Sequence, residues 1–191
     1  MPSPSGRREN LAEAATDYVL EHGLLGLSLR PLAASLGTSD RMLLYHFGTK
    51  DDLVACVLRL SNDRSVAEIR RLAPAQDVRR AVLDLWDLVT SPQVARCQRT
   101  YVEAAALGLF GQEPYAGVVR EANRVWVAAV AVHLVASGTP RDRATRAVAL
   151  LDAAMMGFLL DLPLDAGDPV QGQAVRDLAD AVAAIAAQGS A

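Results

Sequence analysis

The sequence predicts an all-α fold of about nine helices, and three observations favour it. Hydrophobic residues make up 51% of the 191 residues and aromatic residues only 5%, so the core must be built mainly from Ala, Leu and Val. Ala and Leu are strong helix formers, and few stretches alternate apolar and polar residues with the period of two that strands require. Glycine, proline and capping residues also divide the chain into segments of helical length.

This punctuation places the helices one after another along the chain. Ser28 is the predicted N-cap of the second helix, and Thr38 or Ser39 caps the third. A capping box at Thr49–Asp52 opens the fourth. The predicted helices span about residues 7–22, 28–36, 38–47, 50–72, 75–90, 93–110, 114–137, 140–162 and 169–187.

Charge and cysteine content exclude several classes of protein. The formal net charge of −3 argues mildly against nucleic-acid binding, although phosphate contacts come from one local face. Cys56 and Cys97 lie far apart without a CxxC pair, so we expect no disulfide framework, metal site or cofactor. The first ten residues lack the apolar segment of a secretory signal, and no apolar run reaches the ~20 residues of a membrane span. We therefore expect a soluble, cytoplasmic protein.

Residues 36–39 join two short predicted helices with the spacing of a helix-turn-helix, and Gly37 permits the sharp reversal. In such a unit the second helix lies in the major groove of DNA, and its N-terminal residues meet base edges. Arg41 can contact guanine, Met42 a thymine methyl and Asp40 a cytosine amino group. A tight αα-hairpin without DNA contact would contain the same turn, and the charge of Asp40 opposes approach to phosphate.

Residues around this unit can hold the phosphate backbone. Thr38 and Ser39 are hydroxyl donors beside free helix N–H groups. Tyr45 and His46 follow one turn later, and Lys50 begins the next helix.

A family resemblance adds to this interpretation. The segments Leu27–Ala33 and Gly37–Phe47, followed by Lys50, resemble the DNA-binding signature of TetR-type repressors, without a gap over about residues 8–58. The family's two tyrosines correspond to Leu44 and His46 here, with Tyr45 between them, so either Tyr45 or His46 makes the phosphate contact. The DNA-binding residues that motif and resemblance together predict are Ser28, Arg30, Thr38, Ser39, Asp40, Arg41, Met42, Tyr45, His46 and Lys50.

The resemblance also implies the domain organisation. Residues 1–9 are expected to form a flexible arm, in which Arg7 and Arg8 either contact DNA or belong to a solvated tail. Residues 10–50 form the helix-turn-helix domain, and residues 51–191 form a helical domain that dimerises and senses a ligand. The fourth helix joins the two and is the expected lever between them.

A homodimer is expected because one short helix-turn-helix buries too little surface for tight operator binding. The last two helices carry broad apolar bands, which can pair with a second copy, as the resemblance implies, or cover each other within one chain. The predicted interface residues are Val148, Leu151, Met155, Leu178, Ala181, Val182 and Ile185.

Large side chains in the C-terminal part suggest a pocket for a small-molecule effector, with polar groups such as Arg99, Glu103 and His133 interleaved. The alternative for each aromatic side chain is an ordinary place in the core. The candidate ligand-binding residues are Trp86, Tyr101, Phe110, Trp126 and Met155.

No motif of an enzyme is present: the sequence contains no Gly-rich phosphate loop, HExxH or GxSxG. We therefore expect a non-enzymatic, ligand-responsive regulator, of the repressor type by resemblance, that binds a palindromic DNA operator. The alternatives are a helical interaction protein that never touches DNA and a regulator that needs no ligand.

Overall fold

The computed structural model describes residues 4–161 and 169–188, and all regular secondary structure in them is α-helical, as predicted. The described helices are α1 (Pro4–His22), α2 (Leu29–Ser35), α3 (Asp40–Phe47), α4 (Lys50–Arg71), α5 (Val78–Val89), α6 (Pro92–Leu109), α7 (Tyr115–Ala136), α8 (Arg141–Asp161) and α9 (Pro169–Ala187). None of these helices is long and apolar enough to cross a membrane.

Helix α1 starts earlier than the sequence indicates, which corrects the expectation of a flexible arm at residues 1–9. The helix begins at Pro4, whose missing N–H is harmless in a first turn. The Nε of Arg8 donates to the carbonyl oxygen of His46 at 3.1 Å, and its guanidinium carbon lies 5.2 Å from the ring centroid of Phe47. These contacts hold the start of α1 against the end of α3. Arg7 and Arg8 therefore belong to a helix that is packed against the helix-turn-helix. Residues 1–3 lie outside the described residues.

The helix-turn-helix is fixed locally by a cap and two glycines. The Oγ of Ser39 accepts a hydrogen bond from the backbone N–H of Met42 at 3.2 Å, so Ser39, and not Thr38, caps α3. Gly37 and Gly48 have φ angles of 63° and 89°, which residues with a Cβ rarely adopt. Ser28 occupies the N-cap position of α2, but its side chain makes no capping bond.

The predicted capping box at the start of α4 is confirmed. The N–H of Asp52 donates to the Oγ1 of Thr49 at 3.0 Å, and the N–H of Thr49 donates to the Oδ2 of Asp52 at 3.1 Å. Two backbone donors that the helix cannot satisfy by itself are thereby paired.

The chain forms two compact units, and they divide it differently from the predicted boundary at residue 50. The N-terminal unit comprises the described residues up to Ser65 together with Arg96–Asn123, and the C-terminal unit comprises Val66–Ala95 and the described residues from Arg124 onward. The unit with the helix-turn-helix thus also contains most of α4 and α6 and the start of α7. Its core includes Leu24, Leu32, Leu43, Phe47, Val54, Ala104 and Val118.

The core of the C-terminal unit corrects the predicted dimer interface. Helix α9 packs against both α5 and α8 of the same chain. Among the seven predicted interface residues only Ala181 is exposed, because the other six face this internal packing. The six are at most 8% exposed and belong to the unit's own core: Val148, Leu151, Met155, Leu178, Val182 and Ile185.

Substitution Thr49→Ala is expected to lower the free energy of unfolding by ~1 kcal/mol, because it removes the hydroxyl that accepts from Asp52. Urea unfolding followed by circular dichroism measures the change. The control is Asp51→Asn, which alters the same first turn but leaves the capping box intact. Equal stability of Thr49→Ala and the wild-type protein would contradict the role of the box.

Candidate nucleic-acid interface

Helix α3 has one buried face and one free face. Leu43 and Phe47, one turn apart, are buried in the core of the N-terminal unit, as predicted. On the opposite face Arg41 and Tyr45 are exposed, again one turn apart. In helix-turn-helix proteins generally, the N-terminal residues of the second helix, held in this way, meet the base edges in the major groove of DNA.

The N-terminal end of α3 brings together four of the predicted base-contacting and phosphate-contacting residues. Asp40 and Arg41 are exposed, Met42 is half-buried, and Ser39 is exposed with its oxygen engaged as the cap. The hydroxyl of Ser39 keeps its proton for donation to phosphate, because the cap uses only a lone pair. Thr38 is half-buried in the turn.

The structure distinguishes Tyr45 from His46. Tyr45 is 78% exposed, whereas His46 is half-buried, and its Nε2 is shielded from solvent with no hydrogen-bond partner among the described residues. The two rings meet edge to face, with centroids 5.2 Å apart. The phenol of Tyr45 is therefore open to solvent, and the Nε2 of His46 is not.

Two predicted phosphate contacts lie beside the start of α2. Ser28 and Arg30 are exposed there. The Nζ of Lys50 donates to the carbonyl oxygen of Leu27, which places the ammonium group next to them. Because an ammonium group has three donors, this bond leaves others for a phosphate.

Exposed cations around the helix-turn-helix come from four helices: Arg8 of α1, Arg30 of α2, Arg41 of α3 and Lys50 of α4. Arg8 is bonded to the end of α3, and Lys50 to the residue that precedes Ser28. Exposed carboxylates of Asp40, Asp51 and Asp52 lie in the same segment, and the net charge of the whole chain is −3. Local charge governs contact with phosphates.

The predicted ligand-binding residues are divided between the two units. Met155 is buried in the C-terminal unit, and Trp86 and Trp126 pack against the same core. Tyr101 belongs to the N-terminal unit. Phe110, just after the end of α6, is 80% exposed in the single chain and is not part of this core.

One aromatic group does assemble in the C-terminal unit. Trp86 and Phe158 meet edge to face with centroids 5.9 Å apart. The indole N–H of Trp126 and the Nε2 of His133 are shielded from solvent and have no partner within the described residues. Burial lowers the pKa of His133, so its ring is neutral near pH 7. No cluster of potential metal ligands occurs in the part of the chain that the structure describes.

Comparison with known proteins locates the same region. A family model described as bacterial regulatory proteins, tetR family, matches residues 11–57. The HTH-type transcriptional repressor Rv3405c of Mycobacterium tuberculosis (strain ATCC 25618 / H37Rv) is 37% identical over 82 residues, which cover 41% of this chain and 44% of that protein. The match therefore spans less than half the length of this relative.

Solved structures extend the similarity to the whole fold. A transcriptional regulator from Rhodococcus sp. Rha1 is 26% identical with a TM-score of 0.70, over 94% of this chain and 95% of that one. The multidrug binding protein EbrR, complexed with imidazole, is 27% identical with a TM-score of 0.67, over 100% and 98% of the two chains. Most of α1, together with α2 and α3, lies within the residues that match the tetR family model, and the described helices match the fold of these solved regulators, so the chain is similar to the TetR family of bacterial regulatory proteins.

Proposed function

We propose that this protein is a transcriptional regulator that binds a palindromic DNA operator as a homodimer and is released from it by a small molecule. The observation that carries the proposal is the orientation of α3. Burial of Leu43 and Phe47 leaves Arg41 and Tyr45 exposed, and exposed cations lie on the helices before and after α3. The protein acts in the cytoplasm, where such an operator is accessible, and the proposal includes no catalytic step.

Within this proposal, sequence is read at the start of α3. Arg41 makes a bidentate contact to guanine, and Met42 and Asp40 read neighbouring bases. Tyr45, Ser39, Thr38, Ser28, Arg30 and Lys50 fix the register by binding phosphates, which carry no sequence information themselves.

A second copy of the chain binds the outer faces of α8 and α9. Because the inner residues of both helices are buried within one chain, the homodimer must use the residues that this packing leaves exposed. Small and apolar side chains recur there at helical spacing and permit close approach of two helices. They are Ala149, Leu150, Ala153, Gly157 and Leu160 of α8, and Ala181 and Ala184 of α9.

The effector binds beside Trp86, Trp126 and Phe158 in the C-terminal unit. Support comes from the unpartnered indole N–H of Trp126, since buried donors in proteins are nearly always paired. The related structure of EbrR, described as a multidrug binding protein, contains imidazole. Repression, rather than activation, is supported by the name of the relative Rv3405c. A regulator that needs no ligand is the alternative.

Release requires that the effector bind more tightly to the conformation whose two α3 helices are wrongly spaced for DNA. Helix α4 is the proposed element that transmits the conformational change to the helix-turn-helix. It is continuous from Lys50, beside the helix-turn-helix, to residues such as Val66 and Ile69, which belong to the core of the C-terminal unit.

The first test is selection of bound sequences from a random DNA pool. The wild-type protein should enrich a palindrome, and Arg41→Ala should relax it at one base pair per half-site, with a loss of ~1–3 kcal/mol of discrimination. The control is Arg59→Ala, an equal change of charge at an exposed position of α4. A folded wild-type dimer that enriches no motif would favour a helical interaction protein without DNA contact.

A second test separates Tyr45 from His46. Tyr45→Phe removes the exposed hydroxyl and should weaken binding to the selected operator about fivefold, the equivalent of one hydrogen bond. His46→Gln should change affinity less than twofold, because its Nε2 is shielded from solvent. Fluorescence anisotropy with a labelled operator measures both variants. The assignment is wrong if His46→Gln has the larger effect.

A third test concerns the homodimer. Ala153→Glu and Ala181→Glu place charges on the exposed faces of α8 and α9 and should raise the dimer dissociation constant by ~10-fold or more, since like charges oppose each other across a two-fold axis. Sedimentation velocity gives the constant. Ala128→Glu, on an exposed position of α7, is the control. Dimers of unchanged stability in both variants would place the interface elsewhere.

A further inference from the structure

The turn between α1 and α2, residues 23–28, buries the side chains of Leu24 and Leu27 in the core, but its backbone is poorly fixed by local hydrogen bonds. Gly23 and Gly26 have φ angles of 89° and 75°, which makes this segment intrinsically permissive. Ser28 caps α2 without a side-chain hydrogen bond. Within the turn the backbone supplies one bond, from the N–H of Leu27 to the carbonyl oxygen of Leu24 at 3.1 Å.

Two side chains of α6 bind backbone groups of this turn and of the last turn of α1. The Nη2 of Arg99 donates to the carbonyl oxygens of Leu20 and Glu21, at 2.7 Å and 3.3 Å. The Oε2 of Glu103 accepts from the N–H of Leu25 at 3.0 Å and from the N–H of Leu24. We call this pair of side chains the α6 clamp. It replaces the expectation that Arg99 and Glu103 face a ligand pocket.

The charges of the clamp complement the backbone that it binds. A guanidinium group lies at the C-terminal end of α1, where helix carbonyls carry partial negative charge, and a carboxylate receives the free N–H groups that follow. The Nε of Arg99 lies 3.8 Å from the Oε1 of Glu103, so the two side chains also hold each other. The side chain of Glu103 is only 15% exposed, which distinguishes it from a solvated surface ion pair.

Gly23 makes room for this carboxylate. A Cβ at this position would lie 3.2 Å from the Oε1 of Glu103, in addition to the strain of its positive φ angle. The absence of a side chain at Gly23 therefore lets the carboxylate of Glu103 approach the backbone of the turn.

We propose that Arg99 and Glu103 are positioning residues that fasten the helix-turn-helix to α6 and so set the separation at which the two α3 helices of a dimer meet DNA. This inference rests on the proposed function. Helices α1, α2 and α3 pack against one another, so a fastening at the α1–α2 turn constrains α3 as well. Neither residue touches DNA in this proposal.

A second attachment explains why loss of the clamp should loosen the helix-turn-helix without unfolding it. Arg64 of α4 donates to Asp17 of α1 at 2.6 Å and also pairs with Glu13. These ion pairs remain when the clamp is removed. The expected result is a broader range of accepted half-site separations, with DNA binding retained.

The test variant is Glu103→Gln, whose carboxamide can accept from the turn amides or pair with Arg99, but not both. Glu21→Gln is the matched control, because it removes the same charge from an exposed residue beside the clamp. Hydrogen exchange of the Leu24 and Leu25 amides, measured by NMR on the full chain, should accelerate at least ~10-fold in Glu103→Gln and stay unchanged in Glu21→Gln.

The positioning role is tested by measuring which separation between the two operator half-sites the protein prefers. A pool of operators with two fixed half-sites and variable spacing should yield one sharp optimum for the wild-type protein and for Glu21→Gln. In Glu103→Gln the preference for that optimum over a one-base-pair shift should fall ~10-fold. Arg99→Lys keeps the charge but loses the planar guanidinium group, so its preference for the optimal spacing should lie between those of the wild-type protein and Glu103→Gln. This variant replaces Glu103→Gln in the experiment if Glu103→Gln does not fold.

The outcomes separate the two proposals. Unchanged amide exchange in Glu103→Gln would overturn the clamp, whether or not DNA is bound. Faster exchange with an unchanged spacing preference would overturn the positioning role and leave a purely structural contact. A wild-type protein that selects no DNA would overturn the proposed function, and with it the positioning role, while the exchange experiment would still report the clamp.

Discussion

Burial of Leu43 and Phe47 in the core of the N-terminal unit is the constraint on which the DNA-binding surface depends. Each side chain contributes roughly 1.5–3 kcal/mol by leaving water, and together they fix the rotation of α3 about its axis. That rotation exposes Arg41 and Tyr45 and turns the Nε2 of His46 away from solvent. A rotation of one residue, about 100° in a helix, would replace these anchors by Met42 and His46 or by Leu44 and Gly48.

The ends of α3 matter as much as its buried face. Ser39 caps the beginning, Gly48 permits the turn at the end, and Arg8 binds the carbonyl oxygen of His46. A helix of eight residues cannot hold its shape in water alone, so these contacts and the core must order it before DNA is present. The α6 clamp extends the same principle to the α1–α2 turn, where a permissive backbone is held by side chains from a distant part of the chain.

Helices α8 and α9 of the C-terminal unit carry apolar residues both on the face buried within the chain and on the exposed face proposed for the dimer. Helices α8 and α9 have enough apolar residues to bury one face within the chain and still leave small side chains, such as Ala153, Gly157 and Ala181, on the other. Val148, Leu151 and Val182 are the stronger hydrophobes and occupy the internal core, which must form for the subunit to fold. The weaker, flatter face is the one proposed to bind a second copy.

The sequence by itself determined the helical class, the order of the helices, the helix-turn-helix with its anchors Leu43 and Phe47, and the capping box at Thr49–Asp52. These features depend on interactions within a few residues, which periodicity and capping patterns encode directly. Only the tertiary structure decided that Phe110 is exposed, that six of the expected interface residues are core, that Tyr45 rather than His46 faces outward, and that Arg99 and Glu103 bind the α1–α2 turn. Each of these depends on which face of a helix meets a partner distant in sequence, and an amphipathic pattern shows that a face is buried without showing against what.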